Sequence, residues 1–237
     1  MPALFGTYQP SGTYTFFPSN AEIIAGAYAR IQIFRPEIEP KHILDAVGEL
    51  NFFLAAFNDV GPNRAQIDTV QVPLVQGTAT YSLPANTVMV TDAYLTYPSG
   101  SATSDAYLFP ISRTEYAALP NKTTQQRPNQ YWLNRQQVPQ ITVYPVPDGN
   151  GPYTLNCVRF RQVQDSIVSN SVTPEVPNRA LDCIIAGLAH RLARIYRPEL
   201  EDKRKIDAGE AWGLYAKQDT ENVGLYIQPG TASYWRQ

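Results

Sequence analysis

The sequence predicts an α+β protein: helices from both ends of the chain form one bundle, and an antiparallel β sandwich or barrel is inserted between them. Three observations carry this. Apolar residues recur at helical spacing over residues 19–60 and again over 174–222. Between them, over residues 61–173, the apolar period falls to two, with turn residues at regular intervals. Residues 1–18 and 223–237 fit neither pattern and read as an extended N-terminal arm and a C-terminal docking tail.

Taken in order, residues 1–18 carry Phe5, Tyr8, Tyr14, Phe16 and Phe17 among Gly, Pro and Thr. Disordered segments are poor in aromatics, so this arm is expected to dock, either on its own domain or on a neighbour. Ser19 and Glu22 form a capping box, in which the Ser side chain accepts from the backbone while the Glu reaches back. Ile23, Ala27, Ile31 and Phe34 follow as an apolar stripe, and Arg35-Pro36 ends that helix. Glu39-Pro40 opens a second helix with the stripe Ile43, Val47, Leu50, Leu54 and Phe57, a spacing suited to bundle packing.

Gly61-Pro62-Asn63 marks the change of architecture. Val70, Val72 and Leu74, then Tyr81 and Leu83, then Val88, Val90 and Leu95 supply inward rows of strands. Gln76-Gly77, Pro84-Ala85-Asn86 and Pro98-Ser99-Gly100 supply the turns. In the stretch Asn156 to Val163, Cys157 is taken to alternate with Arg159 and Arg161, which points the charged face to solvent or to a partner. Asp165 to Thr173 reads as a polar linker. Pro174-Glu175-Val176-Pro177 opens a third helix with the stripe Leu181, Ile184, Ile185, Leu188, Leu192 and Ile195. Pro198 separates it from a charged fourth helix, Glu199 to about Glu221, in which Gly209 and Gly213 suggest close approach of another backbone.

Composition narrows function further. The net charge is −2, with 20 Pro and 15 Tyr in 237 residues. A protein that grips DNA phosphates for affinity is normally basic, so strong non-specific DNA binding is not expected, although DNA can slide through a near-neutral passage. Abundant Tyr suits large interfaces. No run reaches the ~18 apolar residues of a membrane span, and Met1 to Ala21 has no basic and apolar leader, so synthesis in a cytoplasm is the expectation. Cys157 and Cys183 lack CxxC partners and read as buried free thiols.

No catalytic constellation is legible. His42 and His190 are the only histidines, with no zinc spacing around them. GxGxxG, P-loop and Gly-x-Ser-x-Gly strings are absent. Asp182, Glu199 and Glu201 lie on helices with Arg and Lys at helical spacing, which favours surface pairing over acid–base work. No catalytic, cofactor or metal residue is therefore expected. Tyr131 and Trp132 beside Arg127 and Arg135 resemble a base-stacking platform, but alternation along a strand turns one ring to the core, and a core-plus-interface role is favoured.

The most structured stretch runs from Phe109 to Asn150. Ser112 and Glu115 form a second capping box, which starts a short helix carrying Tyr116 and Leu119 that Pro120 stops. Strands Gln130–Leu133 and Gln140–Tyr144 follow, and Pro145, Pro147 and Asp148-Gly149 turn the chain. The order ISRTEY (111–116), LPNK (119–122), RPNQYW (127–132) and ITVYPVPD (141–148) resembles the head-to-tail adaptor proteins of short-tailed bacteriophages, also called tail tubular protein A or gatekeeper proteins. The likeness runs from about Ala27 to about Glu221 and departs at 61–68, GPNRAQID, where many relatives have Asn-Leu-Trp before an aspartate. Here Asp68 is kept and the Trp is missing.

That resemblance implies a twelve-fold ring in the virion neck, bound to the portal protein and presenting a platform for the tail nozzle protein or tail fibres. DNA would pass through its channel without specific binding. The bundle would build the ring and the β domain would face the tail machinery. Within residues 223–237, Tyr226, Tyr234 and Trp235 are candidate interface anchors and Arg236 a polar clamp, because so apolar a segment is too short to build its own core. The tail could instead fold back over its own helices. A polysaccharide-degrading or carbohydrate-binding virion protein is the other reading of the β domain.

Overall fold

A computed structural model describes residues 12–13, 15–57, 64–168 and 172–219. Its α+β architecture matches the sequence expectation. Two apolar cores exist, one among the helices and one between two sheets.

Helix α1 (Asn20–Arg30) starts at the predicted capping box, with both Ser19 and Glu22 bonds formed. It ends earlier than its apolar stripe suggests. Gln32 adopts a positive φ of 62°, the chain reverses, Ile33 turns inward and Phe34 turns out to solvent. Helix α2 (Pro40–Phe57) has proline at its first position and buries Ala46, Leu50, Leu54 and Phe57.

Helix α4 (Leu181–Tyr196) is the axis of the bundle and packs against α1, α2 and a last helix, α5 (Glu201–Gln218). Because it has neighbours on several sides, small residues such as Ala186, Gly187, Ala189 and Ala193 are buried along with Ile184, Leu188 and Leu192. Two expectations are corrected here. Pro174 to Pro177 does not open the helix: a 3-10 turn over Asn178–Ala180 intervenes, and α4 begins at Leu181. Ile195 is exposed, because the stripe leaves the core as α4 ends.

Among the described residues there are eight strands: β1 (Ile67–Leu74), β2 (Thr80–Ser82), β3 (Thr87–Ser99), β4 (Ala102–Tyr107), β5 (Phe109–Pro110), β6 (Gln130–Asn134), β7 (Gln140–Tyr144) and β8 (Tyr153–Arg161). They form two four-stranded sheets in the orders β1-β8-β3-β4 and β2-β7-β6-β5. Leu95, Leu155 and Cys157 of the first face Tyr131, Ile141 and Val143 of the second in one shared core, which makes a sandwich and not a barrel. Pairing is antiparallel except for β5 with β6, which is parallel because the capped helix α3 (Arg113–Ala118) carries the chain across. Bulges in β3 between Thr87 and Met89 and between Val90 and Asp92 explain why the inward row changes parity before Leu95. Positive φ at Gly77 and Gly100 lets the predicted turns close. Gly61-Pro62-Asn63, expected to mark the change of architecture, lies outside the described residues.

Burial separates two kinds of leucine in the bundle. Leu188 is fully buried, so Leu188→Ala is expected to cost about 3 kcal/mol in urea unfolding, the usual transfer-plus-cavity penalty. Leu44 is 74 % exposed, and Leu44→Ser is expected to stay within about 0.5 kcal/mol of the parent.

Candidate functional site: the domain junction and the exposed apolar faces

The end of β8 nearest the helices carries the densest polar construction among the described residues. In the antiparallel register Asp68 of β1 stands directly opposite Arg159 of β8. Arg159 is 6 % exposed and donates through Nε and Nη2 to the two Asp68 oxygens at 2.7 and 3.1 Å. Its Nη1 donates to Asn86 Oδ1 at 2.9 Å and to Thr87 Oγ1 at 2.7 Å. Arg161, two residues on, donates both Nη groups to Glu175 at 2.8 and 2.6 Å and lies 3.2 Å from Asp68 through Nε. This fork geometry suits arginine and not lysine.

The expectation that Arg159 and Arg161 face solvent or a partner is overturned. Tyr153, Leu155, Cys157, Arg159 and Arg161 share one parity, so the arginines continue the apolar row inward. The charge is compensated internally by Asp68 and Glu175. Hydrogen bonds from Arg161, its nearby charge and the Gln164 N–H hold the Glu175 carboxyl below its usual range, and the Glu175 bond in turn raises Arg161.

The chain crossing between helices and sheets is pinned around this cluster. Asn51 of α2 exchanges two bonds with the Ser166 backbone, at 2.7 and 3.1 Å. Asn20 of α1 donates to the carbonyls of Ile167 and Val172. Gln66 donates to Glu175 O at 3.0 Å. At the end of α5, Asp219 accepts from Arg64 N at 3.0 Å and from Arg179 at 2.9 Å. Asp165 to Thr173 was expected to be a polar linker, yet its described part is bonded to the bundle.

Large apolar side chains are exposed on both parts. Leu44 and Phe52 share one face of α2, and Ile206 and Leu214 share one face of α5. An added Cβ at Gly209 or Gly213 would meet nothing within 4 Å, so no backbone among the described residues approaches them. On the sheets, exposed Tyr107 and Phe109 meet edge to face at 5.4 Å. Phe16 and Phe17 are exposed, so the described part of the arm does not bury these rings on its own helices.

The residues with candidate chemistry are placed otherwise. Tyr131 is in the sandwich core, Trp132 stacks on Tyr116 at 5.4 Å, and Arg127 lies over Tyr97 at 4.4 Å, so these groups form no common platform. His42 Nδ1 accepts from Glu39 N at 2.9 Å, and its ring packs edge-on against Tyr28 and Tyr196. Burial pushes the Cys157 thiol up to about 12 and the Cys183 thiol to about 11, away from thiolate chemistry. Asp182 pairs with Arg30, and Glu199 lies 4.0 Å from Arg197. Among the described residues, no three His, Cys, Asp or Glu side chains converge as a metal site, and no helix is long and apolar enough to cross a membrane. Tyr226, Tyr234, Trp235 and Arg236 lie outside the described residues.

Fold and surface together show two cores bridged by the partly buried Arg161–Glu175 pair, with apolar side chains left outside on several elements. A family model described as the SU10 adaptor protein matches residues 21–223, and the chain belongs to that family of bacteriophage head–tail adaptors. Such proteins are structural components of the phage. No curated protein sequence matches the chain.

The junction makes a direct prediction. Asp68→Asn leaves Arg159 buried with its charge only partly matched, and is expected to cost about 3 kcal/mol, the low end for breaking a buried pair because Asp68 retains some solvent contact. The Glu175 pKa is lowered on folding, so its stabilisation is present at neutral pH and is lost as pH falls through and below about 4.3. Melting curves of wild type and Glu175→Gln should therefore converge in acid.

Proposed function

We propose that the chain is the neck connector of its phage, an adaptor of the tail-tubular type that joins the portal protein to the tail nozzle protein and tail fibres. Twelve copies form a ring, the helices build it, and the sandwich faces the tail. The working division is an arm at 1–18, a bundle of 19–60 with 174–222, a β domain at 61–173 and a tail at 223–237. DNA passes through the channel without specific binding, in keeping with a net charge of −2. Tyr234 and Trp235, with Arg236 as clamp, anchor the end of the tail on the portal or on a neighbouring subunit. The protein is made in the host cytoplasm and resides in the virion neck.

The observation that carries this reading is the family match over 21–223. Apolar faces on α2 and α5 that no described residue covers support it, because a closed ring needs two different complementary surfaces on each subunit. A structural role fits the absence of any legible catalytic constellation in the sequence.

A carbohydrate-binding role for the sandwich has one observation in its favour. Tyr97, Arg127, Asn129, Asp148 and Tyr153 line an open recess of about 590 Å³. Among the described residues Asp148 is the single carboxylate lining it, and it already accepts from Tyr153 OH at 2.7 Å, so they assemble no glycosidase-like carboxylate pair there.

Light scattering of the chain with and without purified portal tests the connector reading. Twelve copies of a 26.4 kDa chain give an added mass of about 317 kDa on the portal. A free monomer is compatible with templated assembly, whereas a monomer that also fails to bind portal would refute the adaptor role.

A further inference from the structure

Where α2 and α5 flank α4, the bundle holds a mainly apolar cavity of about 350 Å³ that is open to solvent. Phe53, Phe57 and Trp212 line it together with Gly209 and His190. Two features suggest an occupant. The cavity is local and has room for a side chain such as an aromatic ring, not a helix. In addition, His190 Nε2 is buried and has no hydrogen-bond partner among the described residues. Burial, followed by the nearby Arg194 charge, pushes the His190 pKa down, so a neutral imidazole with one unfilled bond faces neutral pH. An aromatic ring with a hydroxyl at its tip satisfies both features, since a phenol both donates and accepts.

We propose that this cavity is the socket for the chain's own C-terminal segment, with the Tyr226 ring seated between Phe53 and Trp212 and its hydroxyl bonded to His190 Nε2. Where the segment starts supports an intrachain occupant. Asp219, held by Arg64 N and Arg179, fixes the end of α5, the helix that provides one wall. Trp212 lies seven residues upstream, about 10 Å along the helix axis. Tyr226 lies seven residues downstream, a reach of up to about 23 Å when extended, enough to double back over that wall. Gly224 permits the reversal, and Leu225 and Ile227 flank the ring with further apolar surface.

Pro229-Gly230 then separates this part from Tyr234, Trp235 and Arg236, which are left for a partner. The tail so divides into a root that docks in cis and a tip that docks in trans. This division rests on the connector reading only for the tip.

The test uses the full chain with the photocrosslinker p-benzoylphenylalanine at position 226, irradiated in an equal mixture of isotopically light and heavy copies. The expected product is an intrachain adduct on the Phe53 or Trp212 peptide. Gly209→Leu, whose added side chain enters open space in the cavity, should reduce that adduct at least tenfold without lowering the melting temperature. Tyr226→Phe should shift the His190 Nε2 nitrogen resonance, and Tyr234→Phe should not. Adducts between light and heavy copies, adducts elsewhere on the chain, or an adduct indifferent to Gly209→Leu would overturn the socket. Capture by portal separates the two readings. Trp235→Ala should weaken it about thirtyfold with the adduct unchanged. Failure of the wild-type chain to bind portal would remove the connector reading while leaving the intrachain adduct in place.

Discussion

A buried guanidinium is costly unless every donor finds an acceptor, and that cost shapes how the two parts of this molecule meet. Arg159 sits at the edge of the sandwich core between Asp68 of β1 on one side and Asn86 and Thr87, where the chain enters β3, on the other. Arg161 extends the same row outward and grips Glu175, just before the turn into α4. Asp68 touches both arginines. Displacing the helices relative to the sheet would pull Glu175 from Arg161 and leave Asp68 to answer two cations. Ion pairs here do less to raise total stability than to select one arrangement of helices and sheets.

That constraint has a mechanical consequence. On the connector role proposed above, the chain must hold one structure at a set angle to another, and a hinge between its halves would defeat it. Beside the ion pairs, Asn51 and Asn20 fasten the returning strand of chain to α2 and α1, while Asp219 fastens the end of α5 to the turn before β1. The described parts of both crossings are therefore tied, and they are tied to helices of the bundle.

Much of this was legible in the residues. Both capping boxes form as read, because each needs only a Ser and a Glu three positions apart. The period-two rows placed Leu83 and Leu95 in the core, with Val72, Leu74, Tyr81 and Val90 packed against it. The early end of α1 was not legible, since Phe34 continues the helical stripe and only the reversal at Gln32 turns it outward. Arg159 and Arg161 were misplaced although their parity with Cys157 pointed inward. Charge alone argued for solvent, and the carboxylates that make burial tolerable lie 91 and 14 residues away in the chain. The cavity beside His190 had no sequence signal, because it arises from how three helices pack.

The account depends most on the helices and sandwich behaving as one unit. Fluorine labels on tryptophan report on each part separately: Trp132 stacks on Tyr116 in the sheets, and Trp212 packs edge-on against Phe57 in the bundle. Following both signals through a urea titration measures the coupling directly. A single shared midpoint in the wild-type chain, separating into two when Arg161→Met removes the grip on Glu175, is the predicted result. Two distinct midpoints in the wild-type chain would contradict it.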